Sequence, residues 1–264
     1  MKIKQGKQVK PRRVIIYGDN GIGKSSWAAS WPSPLALNIE DGMNGIDCDC
    51  TERICTFEDY IDALRWLWKN ENSYRTLITD TCDWLEELIF QSVAKEFAVK
   101  LNRPIDYVED IGYGKGYEAV ESRWRQVIDA TTYLWERGYH VVFTCHSKIA
   151  KFKSPEGESY DYYAPSINDK GSDIICQWCD EVLFAKYRTV TRKVDEGFGT
   201  KRNIAIGQTE RILCTQESPS HVGKNRLGLP AEMSLDFAEF EPFIGNINGM
   251  VVSGSSKKKV QQDG

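Results

Sequence analysis

The sequence predicts an α/β fold: a largely parallel central sheet flanked by helices, followed by an antiparallel, loop-rich C-terminal part. Three observations carry that expectation. Short β-branched or apolar runs alternate with segments of helical period up to His146. A glycine-rich loop separates the first such run from the first helix. Beyond His146 the texture turns to Lys, Ser, Gly and Tyr, with strand-like runs around polar stretches. Strands separated by helices need crossover connections, and these are right-handed and build parallel sheets.

Val14, Ile15, Ile16 and Tyr17 form the first strand, and the stretch from Lys24 to Trp31 lacks Pro and Gly, which suits a helix ended by Pro32. Leu35 to Ile39 is the second strand. Phe57, Tyr60, Ile61, Leu64 and Leu67 then recur at helical spacing on one face. Thr76 to Thr79 is a third strand. Trp84, Leu85, Leu88, Ile89 and Phe97 mark one further helix, and Tyr117, Val120, Trp124, Val127, Ile128, Thr131, Leu134 and Trp135 mark another. Their aromatic residues read as core. Gly138 ends the second of these helices, and Tyr139 to Thr144 is apolar enough to be buried on both faces. Glu181 to Tyr187 and Glu210 to Thr215 supply the later strands. No repeat of roughly 20 to 50 residues is evident, which sets solenoids and propellers aside.

The 264 residues are 41% hydrophobic and 27% charged, values of a folded chain with a sizeable core rather than a disordered one. No apolar run approaches the roughly 18 residues of a membrane span. The basic N-terminus lacks the apolar stretch of a secretory signal, so the expectation is the cytoplasm. The eight cysteines are then reduced thiols. Cys176 and Cys179 form a C-x-x-C without a second pair at zinc-ribbon spacing, so both readings stay open there, metal ligands or small buried apolar residues.

The net charge of −4 hides a division. Lys2, Lys4, Lys7, Lys10, Arg12 and Arg13 make the start basic without an acid, and Lys257, Lys258 and Lys259 follow a Ser/Gly stretch near the end. The expected organisation is a basic arm at 1–11, a core at 12–245 and a flexible tail at 246–264. A basic arm on an acidic body suits either solvation or a phosphate backbone.

Gly18-Asp19-Asn20-Gly21-Ile22-Gly23-Lys24-Ser25 matches G-x-x-x-x-G-K-[ST] in full, after an apolar strand and at the start of a helix. Loop and helix-start amides, extending to Ser26, converge there on phosphates, assisted by the helix dipole. Lys24 serves the β and γ phosphates of ATP, and Ser25 offers its hydroxyl to Mg²⁺. Asp80, closing Leu77-Ile78-Thr79, is the second metal partner; its alternative is a helix N-cap, which Thr81 or Asp83 also suits. Glu40, closing the second strand, is the candidate base that orients water, with Asp41 as a substitute.

In this order, the phosphate loop, Glu40, Asp80 and a buried strand running into Cys145-His146-Ser147, the chain resembles the RecA-like P-loop ATPases. In size it looks most like the short phage RecA-core proteins, including the ATP-dependent single-strand annealing group. The resemblance covers Arg12 to Phe240 and implies a γ-phosphate sensor at His146. It also implies that Lys224 and Arg226 of Lys224-Asn225-Arg226 meet the ATP of a neighbouring subunit, hence a homo-oligomer, filament or ring, with ATP at its interfaces. Single-stranded DNA would lie along Ser147 to Asp173 and Tyr187 to Gln208, with a single-strand-binding protein as a candidate partner. Those segments carry Lys148, Lys151, Lys153, Arg188, Arg192, Lys193, Lys201 and Arg202 beside Phe152, Tyr160, Tyr162, Tyr163 and Phe198, cations for phosphates and rings for bases. A long N-terminal oligomerisation domain and a C-terminal DNA-binding domain are not recognisable, which fits annealing better than full strand exchange. The alternatives are a ring-helicase-like motor or loader, a P-loop phosphotransferase, and a DNA-binding protein whose nucleotide is structural.

Overall fold

The computed structural model describes residues 6, 9–153, 157–188 and 210–245, and the backbone alone of 191–195 and 201–205. Twelve strands and six α-helices are distinguished in those residues. In chain order they begin β1 (Arg13–Gly18), α1 (Lys24–Ala29), β2 (Pro34–Asn38), β3 (Asp49–Cys50), α2 (Phe57–Lys69), β4 (Thr76–Asp80), α3 (Cys82–Leu101) and α4 (Lys115–Glu136). The second half comprises β5 (His140–Phe152), β6 (Tyr160–Pro165), α5 (Asp169–Trp178), β7 (Glu181–Tyr187), β8 (Thr191–Asp195), β9 (Lys201–Ala205), β10 (Arg211–Cys214), β11 (Lys224–Asn225), β12 (Glu232–Ser234) and α6 (Phe237–Ile244).

The main sheet runs β12-β10-β7-β1-β5-β4-β2-β3, with β11 on β7 and β6 on β5. The strands β7, β1, β5, β4, β2 and β3 are parallel, and β10, β11, β12 and β6 pair antiparallel. This is the α/β architecture read from the sequence, with parallel strands first and antiparallel ones after. Alternation along β1 divides the core. Ile15 and Tyr17 pack with Leu64, Phe143 and Trp124 toward α2 to α5, while Val14 and Ile16 pack with Trp27, Trp31, Phe237 and Phe240 of α1 and α6. Gly138, at φ 103°, makes the left-handed turn that stops α4. No helix among the described residues is long and apolar enough to cross a membrane.

Two departures matter. The fifth strand runs to Phe152, well past the expected end at Thr144, and folds back through β6 as a hairpin from Ser147↔Pro165 to Phe152↔Tyr160. The segment expected as one long loop to Asp173 is thus hairpin plus helix, because Asn168 caps α5 by accepting from the Gly171 amide at 2.9 Å. Only Ile175 of α5, beside Gly171, is buried, too few apolar positions to show a helical period in sequence. The final helix, α6, also escaped the sequence reading, since Pro242 interrupts it.

Candidate functional site

The parallel strands β1, β2 and β4 end together on one edge, where β5 passes at His146, the position where open α/β sheets place ligands. Gly18 ends β1 opposite His146 of β5 and Ala185 of β7. A Cβ on Gly18 would lie 2.1 Å from the Ala185 carbonyl oxygen, so only glycine fits the close strand approach there. Gly21 and Gly23, at φ 71° and 107°, bend the loop through the left-handed region. Ile22 buries its side chain in the α1 face of the core, which pins the loop and leaves its backbone as the binding element.

Lys24 is buried, its ammonium donating to the carbonyls of Gly18 at 3.1 Å and Asp19 at 2.9 Å. Burial pulls its pKa below the ordinary lysine value. Ser25 Oγ donates to Asp80 Oδ1 at 2.7 Å, and Thr144 Oγ1 donates to the same oxygen at 2.6 Å. The other oxygen, Asp80 Oδ2, is buried without a hydrogen-bond partner among the described residues. An orphaned carboxylate oxygen beside a serine hydroxyl and a lysine fits the oxygen-rich, partly hydrated coordination that Mg²⁺ takes beside phosphates. Ser25 and Asp80 are therefore the residues that would hold the ion. The N-cap of α3 is Thr81, not Asp80.

Glu40 and His146 face the same cleft of about 300 Å³ with Ser25, Asp80 and Thr81. The amides of Ile39 and Glu40 both donate to the Asp80 carbonyl, at 3.0 and 3.2 Å, which fixes Glu40 beside β4. Burial raises the Glu40 pKa and His146 partly opposes it. Asp41 turns away, accepting from the Asn38 amide side chain at 3.4 Å. His146 Nε2 stands 3.8 Å from Glu40 Oε1. Its other side is held by a residue that the sequence reading treated only as a possible cap: Asp83 accepts from His146 Nδ1 at 2.7 Å and from the His146 amide at 3.1 Å. The Asp83 bond raises the His146 pKa against burial. For Asp83 itself, burial works upward, and the bonds from His146 outweigh it and carry the carboxyl below its usual range. Their 63-residue separation left no local signal of the pair.

A family model for an AAA domain matches residues 10–227, the segment that contains all of this geometry. The chain belongs to that AAA domain family. It is an AAA-type P-loop ATPase domain. A relative, the SPbeta prophage-derived uncharacterized protein YorG of Bacillus subtilis (strain 168), is 27% identical over 168 residues, covering 61% of this chain and 49% of that protein. The chain thus spans about half the length of the relative it matches.

Lys224 and Arg226, expected at the ATP of a neighbouring subunit, lie away from this chain's own cleft. Lys224 pairs at the start of β7, the end of the sheet opposite the phosphate loop, and its ammonium donates to the carbonyls of Cys176, Gln177 and Cys179 at 3.0, 2.8 and 2.6 Å. It closes the C-terminus of α5, where free carbonyls attract a cation. Arg226 donates to Asp180 at 2.9 Å, and Arg13 shares that carboxylate at 2.6 Å. Cys176 and Cys179 pack around the same helix end, and burial pushes the Cys176 thiol up to about 11.

Among the expected DNA contacts, Lys148 is tied back to the Ile167 carbonyl at 2.5 Å and to Asp169 at 3.1 Å. Arg188 pairs with Glu210 and Glu232 at 3.1 and 3.3 Å. Tyr163 stacks on Phe184 with centroids 5.0 Å apart, as part of the fold. Lys151 and Lys153 are exposed, and Phe152 and Tyr160 meet at 5.1 Å on the hairpin while remaining 43% and 40% exposed. Arg192, Lys193, Lys201 and Arg202 lie on the paired strands β8 and β9, and their side chains are outside the described residues, as are Phe198, most of the basic arm and the 246–264 tail.

Proposed function

We propose that this AAA domain is a Mg²⁺-dependent ATPase that binds single-stranded DNA and acts as a homo-oligomer in phage DNA recombination, single-strand annealing or replication. The observation that supports this most is β5: one strand carries His146 at the cleft and, six residues on, the exposed Phe152 beside Lys151 and Lys153. The relative's prophage origin agrees with the phage setting.

The geometry supports the following roles. Loop amides and Lys24 bind the phosphates. Glu40 orients water, and its raised pKa moves it toward the range of an effective base. His146, its pKa raised by the Asp83 bond, meets the terminal phosphate and stabilises charge that develops there. Bound Mg²⁺ would draw charge off the phosphate oxygens. Lys151, Lys153, Phe152 and Tyr160 offer charge and stacking to a single strand. In the assembly, Arg226 is the more available of the two basic residues for a neighbour's nucleotide, since Lys224 would have to give up three carbonyl bonds.

The test is the ATPase rate with and without single-stranded DNA, beside mass measurement with and without ATP. The expected results are DNA stimulation and ATP-dependent assembly. A strict monomer whose turnover ignores DNA would remove the DNA and assembly roles, and absent turnover would remove the enzyme. If Arg226 acts across an interface, mixing inactive Arg226→Ala with inactive Lys24→Ala restores part of the activity, because one mixed interface pairs an intact loop with an intact arginine.

A further inference from the structure

Arg211 opens β10 and reaches the phosphate loop from the side opposite Asp80. Its guanidinium donates to the Ile22 carbonyl at 3.3 Å, and a Cβ on Gly23 would lie 2.8 Å from its Nη1 and 3.7 Å from Leu235 Cδ2. Among the described residues no carboxylate pairs with Arg211, and the residue is exposed. Tyr187 stands directly across from it in the β7–β10 ladder, so both side chains share one sheet face, where Tyr187 and Leu235 border the α1 core. We propose that Arg211, Tyr187 and Leu235 form the nucleoside subsite of the ATP cleft, with the guanidinium and ring stacking on the base.

The argument rests on the ATP-binding reading and on direction. Asp80, Glu40 and His146 fix the terminal-phosphate end on the β5–β4–β2 side of β1. A nucleotide held by the loop therefore leaves it toward β7 and β10, the opposite flank. There the chain presents a planar cation without a carboxylate partner among the described residues, an aromatic ring and a half-buried leucine, a surface suited to a flat heteroaromatic base. Arg211 is not among the residues walling the phosphate cavity, which sets it apart from the groups that serve the γ-phosphate. Neither composition nor motif marked it, since β10 joins the loop only through the fold.

The experiment compares binding of ATP and of inorganic tripolyphosphate, each with Mg²⁺, to the full chain and to Arg211→Ala. A charge-bearing contact of this kind is worth about ten- to a hundredfold in affinity. Arg211→Ala should lose that factor for ATP while tripolyphosphate binding stays within about twofold. Tyr187→Ala should show the same selective loss, which keeps the test open should Arg211→Ala fail to fold. Equal losses for both ligands in a folded variant would mean that Arg211 only shapes the loop, and unchanged ATP affinity would mean that the base lies elsewhere; either overturns the proposal. Failure of the unaltered chain to bind ATP would overturn the underlying ATPase reading with it, and is recognisable because no variant is needed to see it.

Discussion

Asp83→Asn isolates the contact that sets the charge of His146. Asp83 accepts twice, from the His146 amide and from Nδ1, so the neutral imidazole carries its proton on Nδ1 and turns a bare Nε2 toward Glu40. An asparagine that keeps the bond to the amide must aim its NH₂ at Nδ1. That disfavours any proton there, sends the neutral proton to Nε2 and penalises the imidazolium. The two side chains are each 19% exposed, so solvent screens the pair only partly. Exchanging a charge-assisted bond for a neutral one should cost about 1–2 kcal/mol of imidazolium stabilisation. His146, now raised above 6.5, would titrate at lower pH. Because a raised histidine stabilises the fold below its ordinary value and a depressed carboxylate does so above its own, the pair contributes most between about pH 3.8 and 6.5. The stability deficit of Asp83→Asn should therefore be largest in that window and shrink as pH rises through the folded His146 value or falls through that of Asp83. Ring-proton NMR resolves His146 from His140 and His221, and denaturant unfolding at several pH values gives the stability curve. If His146 acts as a charged donor, turnover at pH 7 should fall about five- to thirtyfold. An unshifted His146 titration, together with a pH-independent stability difference, would refute the reasoning.

Glu40→Gln should retain ATP binding within a few-fold and lose about 10²–10⁴ in turnover, measured by phosphate release beside equilibrium binding; a near-normal rate would assign the base elsewhere. Gly18→Ala places a methyl 2.1 Å from the Ala185 carbonyl, so β1 and β7 must part; urea unfolding should show at least about 1–3 kcal/mol lost and nucleotide titration a weakened loop, and normal values for both would contradict the strand register. Glu181 is fully buried, neither carboxylate oxygen has a partner among the described residues, and burial pushes its pKa up to about 8. The folded state then holds a proton that the unfolded chain releases near 4.5, so stability falls as pH climbs from about 4.5 to 8, by up to ~1.4 kcal/mol per pH unit. Glu181→Gln should flatten that decline in thermal melts across pH, and parallel curves for the two proteins would count against it.

The parallel half of the fold was readable because each element announces itself over a short window. Val14 to Tyr17 and Thr76 to Thr79 are compact apolar runs, and Phe57 to Leu67 repeats at one period. The loop from Gly18 to Ser25 is a contiguous motif. What stayed hidden depends on residues far apart in the chain. The carboxylate of Asp83 finds His146 only because β4 and β5 are neighbours, and Arg211 meets Gly23 only through β7. For Lys224 the pattern of two basic residues was legible, but not the helix end that engages it, because α5 had too few buried positions to be seen. The hairpin after His146 was misjudged as loop since its Tyr, Lys and Ser residues face water, where polarity resembles that of irregular chain.

From His140 to Phe152 the fifth strand contains neither glycine nor proline, and antiparallel pairing braces it beyond the sheet edge. Six residues of strand separate the imidazole from the last phenylalanine, a reach of about 20 Å. A stiff beam of that length does not need to melt or refold to report an event at its root. Over that reach a tilt of a few degrees where the histidine sits becomes a displacement of about an ångström at its tip, so the hairpin has the form of a lever rooted at the cleft.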